Sequence, residues 1–182
     1  VQIRVDNLQG RSRNLEINEP VDAFPALVAL SEQGDVVFSG HVKGQLKASE
    51  AGDMVRIEGH VTVNATFVCS RCLTAVDRCL DVPVTLCYQK LELHRDTVDQ
   101  DEVELTLRDL EVIPFQGDEI DTRPEIAQEL IMALPQTVLC RDTCAGLCPV
   151  CGNDRNVSQC GCETTVLHEG LARLKDFKVD RD

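Results

Sequence analysis

The chain has 182 residues, 43% hydrophobic and 27% charged, the balance of a folded chain and not of a disordered one. That length suits one domain with an accessory module and is short for two ordinary cores. Its net charge of −13, from 31 acids against 18 bases, is opposite to the footprint of a protein that grips phosphate backbones, so tight nonspecific nucleic-acid binding is disfavoured. No stretch reaches the ~20 apolar residues of a membrane span, and residues 1–15 are polar and alternating with no signal core. The expectation is a cytoplasmic protein that neither spans a membrane nor is exported.

In chain order, Ile3 to Leu8, Leu15 to Ile17, Val36 to Phe38 and His41 to Leu46 read as short strands. From Val55 the apolar residues Ile57, Val61, Val63, Ala65 and Phe67 alternate with Arg56, Glu58, His60, Thr62, Asn64 and Thr66, the period of two that sets one face on a core and the other in water. A second alternation, Leu80, Val82, Val84, Leu86 and Tyr88, pairs with it as a long hairpin whose tip lies between Cys69 and Cys79. Val103, Leu105 and Leu107 suggest one more strand. Acidity concentrates in the middle: residues 92–129 hold thirteen acids against Arg95, Arg108 and Arg123, either a solvated connector or a face that meets a basic partner.

A helix at about 122–134 follows. Asp121 and Thr122 are N-cap types, Pro124 is in the first turn, Glu125 stands three beyond Thr122 as in a capping box, and Ile126, Leu130, Ala133 and Leu134 form an apolar stripe ended by Pro135. A last helix runs from Thr164 or Thr165 to about Phe177, with Leu167, Leu171 and Leu174 on one face and Lys175 and Lys178 near its end. The fold class expected is α+β: an antiparallel sheet or partly open barrel with a packed helix over 1–136, then a cysteine-rich module with a terminal helix over 137–182.

Ten cysteines in a chain of this kind indicate metal ligands or redox centres before structural disulfides. Six fall within residues 140–162, among Gly146, Pro149, Gly152 and Gly161, small residues that let backbone N–H groups turn toward sulfur. Cys148 and Cys151 with Cys160 and Cys162 supply four soft ligands able to close a tetrahedron around Zn²⁺. Cys69 and Cys72 form another pair, for which Cys140 and Cys144 are unassigned partners; a redox pair, or one site with other partners, fits the same spacing. Cys79 and Cys87 are isolated and expected to be core or surface thiols.

An enzyme is not indicated. The available ligand sets are all-thiolate and closed, whereas catalytic zinc keeps an open position, and no thioredoxin-like βαβ pattern surrounds Cys69 and Cys72. His41, His60, His94 and His168 do not fall at ligand spacing. Nucleophile-elbow, phosphate-loop and dinucleotide motifs are missing from the sequence. Arg71, Arg78, Arg141 and Arg155 lie near the expected ligands and could form a local basic patch for specific RNA contact.

The run Phe67-Val68-Cys69-Ser70-Arg71-Cys72-Leu73, the acidic middle, the helix from Glu125 to Leu134 with Pro135, the cysteines Cys140, Cys144, Cys148, Cys151, Cys160 and Cys162, and the tail Leu171-Ala172-Arg173-Leu174-Lys175 together resemble the bacterial YceD-like family of large ribosomal RNA subunit accumulation proteins. The resemblance covers roughly residues 10 to 178. It implies a factor supporting accumulation of large-subunit rRNA and assembly of that subunit; the acidic middle is expected to hold a basic ribosomal protein or a maturation factor, with the rRNA contacted directly or indirectly. No catalytic residues are defined for the family. Some members lack the last four cysteines, and this favours pairing Cys69 and Cys72 with Cys140 and Cys144 as a second zinc site. One departure is Asn153-Asp154-Arg155-Asn156 in place of the family's Asn-Leu-Asn, expected to matter little for ligation. The alternatives are a thiol and zinc redox switch, or an accessory of RNA binding or processing.

Overall fold

The computed structural model describes residues 2–5, 8, 12–52, 54–91 and 112–163. The chain divides into two compact units, Val1–Val68 with Ala75–Gln136, and Cys69–Thr74 with Thr137–Asp182. The strand expected at Val103 to Leu107 and the helix expected from Thr164 lie outside the described residues.

The first unit is built on the alternation at its centre. In β4, Met54–Val68, the side chains of Val55, Ile57, Val61, Val63, Ala65 and Phe67 are buried while Arg56, Glu58, His60 and Asn64 face water. It pairs antiparallel with β3, Val36–Ala51, on one side and β5, Ala75–Lys90, on the other, with Val61 opposite Gly44 and Val82. β2, Arg13–Pro20, lies antiparallel outside β3. β6, Ile113–Phe115, joins β5 in parallel, so the order is β2-β3-β4-β5-β6: the expected antiparallel sheet of an α+β fold, with one short parallel edge strand and no closed barrel. A separate two-stranded ribbon pairs β1, Gln2–Arg4, with β7, Glu119–Asp121.

The two short strands expected at Val36 to Phe38 and His41 to Leu46 are one strand with an irregularity. Ser39 pairs with Asn64 and the next register pair is Lys43 with Thr62, so the extra residues bend β3 at Gly40, whose φ is 76°. Further along, a β-carbon on Gly59 would lie 2.2 Å from the Gln45 carbonyl oxygen, and one on Gly44 would lie 2.5 Å from that of His60. Only glycine permits this approach of β3 to β4.

Two helices cover the buried face. α1, Pro25–Glu32, starts with Pro25 in its first turn, where no N–H is needed, and it packs on β3 with Phe24 and Leu27 fully buried. Ser31 fixes its exit: the hydroxyl donates to the Leu27 carbonyl at 2.9 Å and accepts the Phe38 N–H at 3.1 Å. Sequence reasoning missed this helix. α2, Arg123–Met132, packs on β5 and α1 through Ile126, Ala127 and Leu130. Its N-terminus differs from the expected capping box: Thr122 makes no side-chain cap, and the Asp121 carboxylate instead accepts the Arg123 N–H at 3.1 Å and grips the guanidinium at 2.6 Å. Glu125 accepts the Tyr88 hydroxyl proton at 3.0 Å. The helix ends before Ala133, which is exposed, so the stripe is carried by Ala127 in its place.

The second unit holds no strand or helix among its described residues. Its backbone is a series of turns with one antiparallel bridge, Leu147 to Asp154. Among those described residues Val138 is the one buried aliphatic side chain, beside buried Cys69, Cys72, Cys144 and Cys148, so little apolar packing holds them together.

Candidate metal centre

Both Cys-x-x-Cys segments fold into the same turn. The Leu73 N–H donates to the Cys69 carbonyl at 3.0 Å, and the Gly152 N–H donates to the Cys148 carbonyl at 2.8 Å. Leu73 and Gly152, each just past the second cysteine, have φ of 61° and 72°. This geometry turns following N–H groups back on the first sulfur. The N–H groups of Cys72 and Arg71 address Cys69, and those of Cys151 and Val150 address Cys148. The Cys72 N–H is the main reason that the Cys69 thiol falls to about 6, against burial that opposes it. The Cys151 N–H does the same for Cys148, which also falls to about 6.

The turns bring eight sulfurs into two groups of four, Cys69, Cys72, Cys140 and Cys144, and Cys148, Cys151, Cys160 and Cys162. Within each group all four lie within 4.8 Å of one another. In the first, Cys69 Sγ is 3.9 Å from Cys144 Sγ and Cys72 Sγ is 3.6 Å from Cys140 Sγ. A disulfide requires about 2.05 Å, so these are thiols. A tetrahedron with metal–sulfur bonds of ~2.3 Å has edges of ~3.8 Å, which both distances match. The groups therefore could hold one metal ion each, and no other such group occurs among the described residues.

Crowding of sulfurs raises one thiol in each group. Contact with the Cys72 thiol, then burial, pushes Cys140 up to about 12, and contact with Cys151 and Cys160 pushes Cys162 up to about 12. Four thiolates in one pocket repel each other unless a cation neutralises them. Burial would raise Cys144 as well, but the Asn156 amide and the Gly146 N–H overcome it and lower that thiol.

The two groups differ in cover. Cys69, Cys72 and Cys144 are buried, with Cys140 less covered, whereas in the second group only Cys148 is buried, Cys160 and Cys162 are half-buried and Cys151 is exposed. Outer contacts complete both. The Cys140 N–H points to Cys69 Sγ at 3.4 Å, Asn156 Nδ2 donates to Cys144 Sγ at 3.4 Å and Arg155 Nη2 to Cys148 Sγ at 3.6 Å. The Asn153 to Asn156 run lines this site, since Asn156 touches Cys144 Sγ and the Asn153 carbonyl accepts the Cys148 N–H at 2.8 Å. Sequence offered no signal for this, because an asparagine in a glycine-rich turn is ordinary.

The arginines near the ligands are engaged inside the unit. Arg71 Nη1 donates to the Cys144 carbonyl at 2.9 Å, Arg141 Nη2 to Asn156 Oδ1 at 2.7 Å, and Arg155 to the Cys148 sulfur. Arg78 belongs to the first unit, on β5. Cys79 is exposed and Cys87 half-buried on β5, and neither joins a four-sulfur group. His41 Nδ1 is 3.0 Å from Asn18 Oδ1 and His60 Nδ1 is 3.3 Å from Asp81 Oδ1, hydrogen-bonded surface positions; His94 and His168 lie outside the described residues.

The molecule is thus an α+β protein with a turn-built unit carrying two tetrathiol groups suited to metal. It belongs to the YceD family of large ribosomal RNA subunit accumulation proteins, whose sequence model matches residues 57–178, from within β4 through both cysteine groups. Membership connects it with accumulation of large-subunit rRNA. No helix among the described residues is long and apolar enough to cross a membrane. No curated protein and no solved structure matches the chain.

Proposed function

We propose that the protein is a non-catalytic cytoplasmic factor that binds one zinc ion in each cysteine group and supports assembly of the large ribosomal subunit by engaging a basic protein partner, with rRNA contacted directly or through that partner. The observation that carries the metal reading is the pair of closed four-sulfur sets at tetrahedral spacing. All-thiolate, mononuclear and fully supplied by the chain, such a site leaves no open position for substrate, which is the mark of structural zinc. Zinc in a small module of this type contributes on the order of 10 kcal/mol to folding.

Charge supports the partner. Ribosomal proteins are basic, and an acidic surface raises both encounter rate and selectivity for such a partner. Several acids of the middle segment are already committed within the chain: Asp118 to Lys90 at 2.9 Å, Glu119 to Arg4 at 3.8 Å, and Asp121 to Arg123 at 2.6 Å. The segment 92–129 as a whole carries thirteen acids against Arg95, Arg108 and Arg123, and to it we assign the partner contact. The test is affinity capture of the tagged protein from its own cells with and without nuclease. Precursor large-subunit RNA together with ribosomal proteins is expected, with the direct protein partner surviving nuclease; recovery of neither overturns the assembly reading.

The exposure of Cys151 beside half-buried Cys160 and Cys162 favours a second reading, in which zinc release from that group is redox-controlled. Hydrogen peroxide would join two thiolates as a disulfide and be reduced to water with uptake of two protons, expelling the ion. On this reading mild peroxide frees about one zinc per chain and dithiol reductant with zinc restores it. Equal loss from both groups at all doses counts against it.

A further inference from the structure

The loop between Cys151 and Cys160 belongs by sequence to the second group, yet its side chains divide between the two. Arg155 Nη2 reaches Cys148 Sγ of the second group, while the adjacent Asn156 reaches Cys144 Sγ of the first through Nδ2. Asn156 is held for this by its side-chain oxygen, its side-chain nitrogen and its backbone N–H. Its Oδ1 accepts the Ala145 N–H at 2.9 Å and Arg141 Nη2 at 2.7 Å, and its own N–H and Nδ2 donate to Asp154 Oδ1 at 2.8 and 2.7 Å. The backbone follows the same path: the Arg155 N–H donates to the Gly146 carbonyl at 3.0 Å and Leu147 bridges Asp154. A loop anchored at both ends by ligands of one group thereby supplies a sulfur contact to the other.

We infer that the two cysteine groups are one coupled metal centre in which Asn156 is the positioning residue, so that metal in the second group slows release of metal from the first. The inference rests on the reading of both groups as zinc sites. A metal in the second group fixes Cys151 and Cys160, and with them the loop that aims the Asn156 amide. Its N–H donated to Cys144 stabilises the thiolate that the first metal needs, the role of outer contacts that orient and tune metal ligands. When the second group empties, those loop anchors are released and the contact loses its support. Coupling of this kind is reciprocal in equilibrium affinity, so the first ion must strengthen binding of the second by the same factor.

The test uses the full chain loaded with zinc. Release is started with excess chelator, and maleimide labelling of Cys69 and Cys72, followed by mass spectrometry of peptides, reads the first group separately from Cys148 and Cys151. Outer-contact variants typically shift metal affinity by roughly 10- to 100-fold, so Asn156→Ala is expected to speed labelling of Cys69 and Cys72 by about tenfold or more while the protein still carries two zinc ions as prepared. The double variant Cys151→Ser with Cys162→Ser, which removes the second site, is expected to do the same, and adding Asn156→Ala to it should change the first group's rate little further, the non-additivity that marks a shared route. Val157→Ala, at an 84% exposed neighbour, serves as the loop control and should leave the rate at the wild-type value. Two ions in the wild type with an unchanged first-group rate in Asn156→Ala would overturn the coupling and leave the two-site reading standing. Fewer than two ions in the wild type would overturn both. Should the double variant fail to fold, Cys151→Ser alone, at the exposed ligand of the second group, takes its place, and an unchanged first-group rate in it overturns the coupling.

Discussion

Leu73 is held at φ 61°, a region where the β-carbon of an L-residue crowds the next carbonyl oxygen, and its side chain is 63% exposed. The corresponding place in the second turn is Gly152, which takes this conformation without strain. Leu73→Gly is therefore expected to hold or raise stability, by up to about 1 kcal/mol once the added freedom of the unfolded glycine is offset; a denaturant melt of the zinc-loaded protein checks it, and a clear loss would show that the Leu73 side chain contributes contacts of its own. Tyr88 is the complementary case, a residue whose polar end is satisfied indoors. Burial, followed by the charge and hydrogen bond of Glu125, holds its hydroxyl well above the usual tyrosine range. Because the folded value is raised, both states keep the proton below pH ~10, the ordinary tyrosine value; above it the unfolded chain ionises first, so stability falls as pH rises. Tyr88→Phe should cost ~1–2 kcal/mol at neutral pH and flatten that alkaline decline, as seen in melts from pH 8 to 11.

At the level of elements, the closest constraint is the crossing of β3 and β4 at Gly44 and Gly59. Both positions leave no room for a methyl group without moving backbone, so Gly59→Ala should destabilise the first unit by at least ~2 kcal/mol, with zinc content unchanged; thermal melting beside metal analysis separates the two. The strands themselves are legible because their alternation is long: it predicts a strand over residues 55–67, and β4 extends this by one residue at each end. α1 was not legible, since Phe24-Pro25-Ala26-Leu27-Val28-Ala29-Leu30 is almost continuously apolar and shows no period. β6 and β7 are three residues each and take their partners from far along the chain, a pairing no local pattern encodes. Within the cysteine unit, spacing pointed to the second group of ligands, while the first draws on two distant segments and needed the family resemblance to favour its pairing. The contacts of Arg155 and Asn156 with sulfur arise only once the turns have folded.

For the whole molecule, zinc content and fold should separate. Cys148→Ser is expected to lower zinc by one or more ions per chain and loosen the turn-built unit while strand circular dichroism persists, because the sheet carries its own core of Phe24, Leu27, Ile57, Val61, Ile126 and Leu130. Cys72→Ser should remove one ion if the first group is a metal site; a full complement of zinc in either variant would refute the corresponding site. The span of the first group has a further consequence, in the order of synthesis. Cys72 faces Cys140 across 68 residues of chain and Cys69 faces Cys144 across 75. At ~5–20 residues per second, the first pair waits several seconds on the ribosome before its partners exist. During that interval β4 and β5 can already pair, but Cys69 and Cys72 have no closed site to enter. On the proposed reading, metal capture by this group would record that translation has passed Cys144, and a chain stopped earlier would leave Cys69 and Cys72 without the partners that close the site.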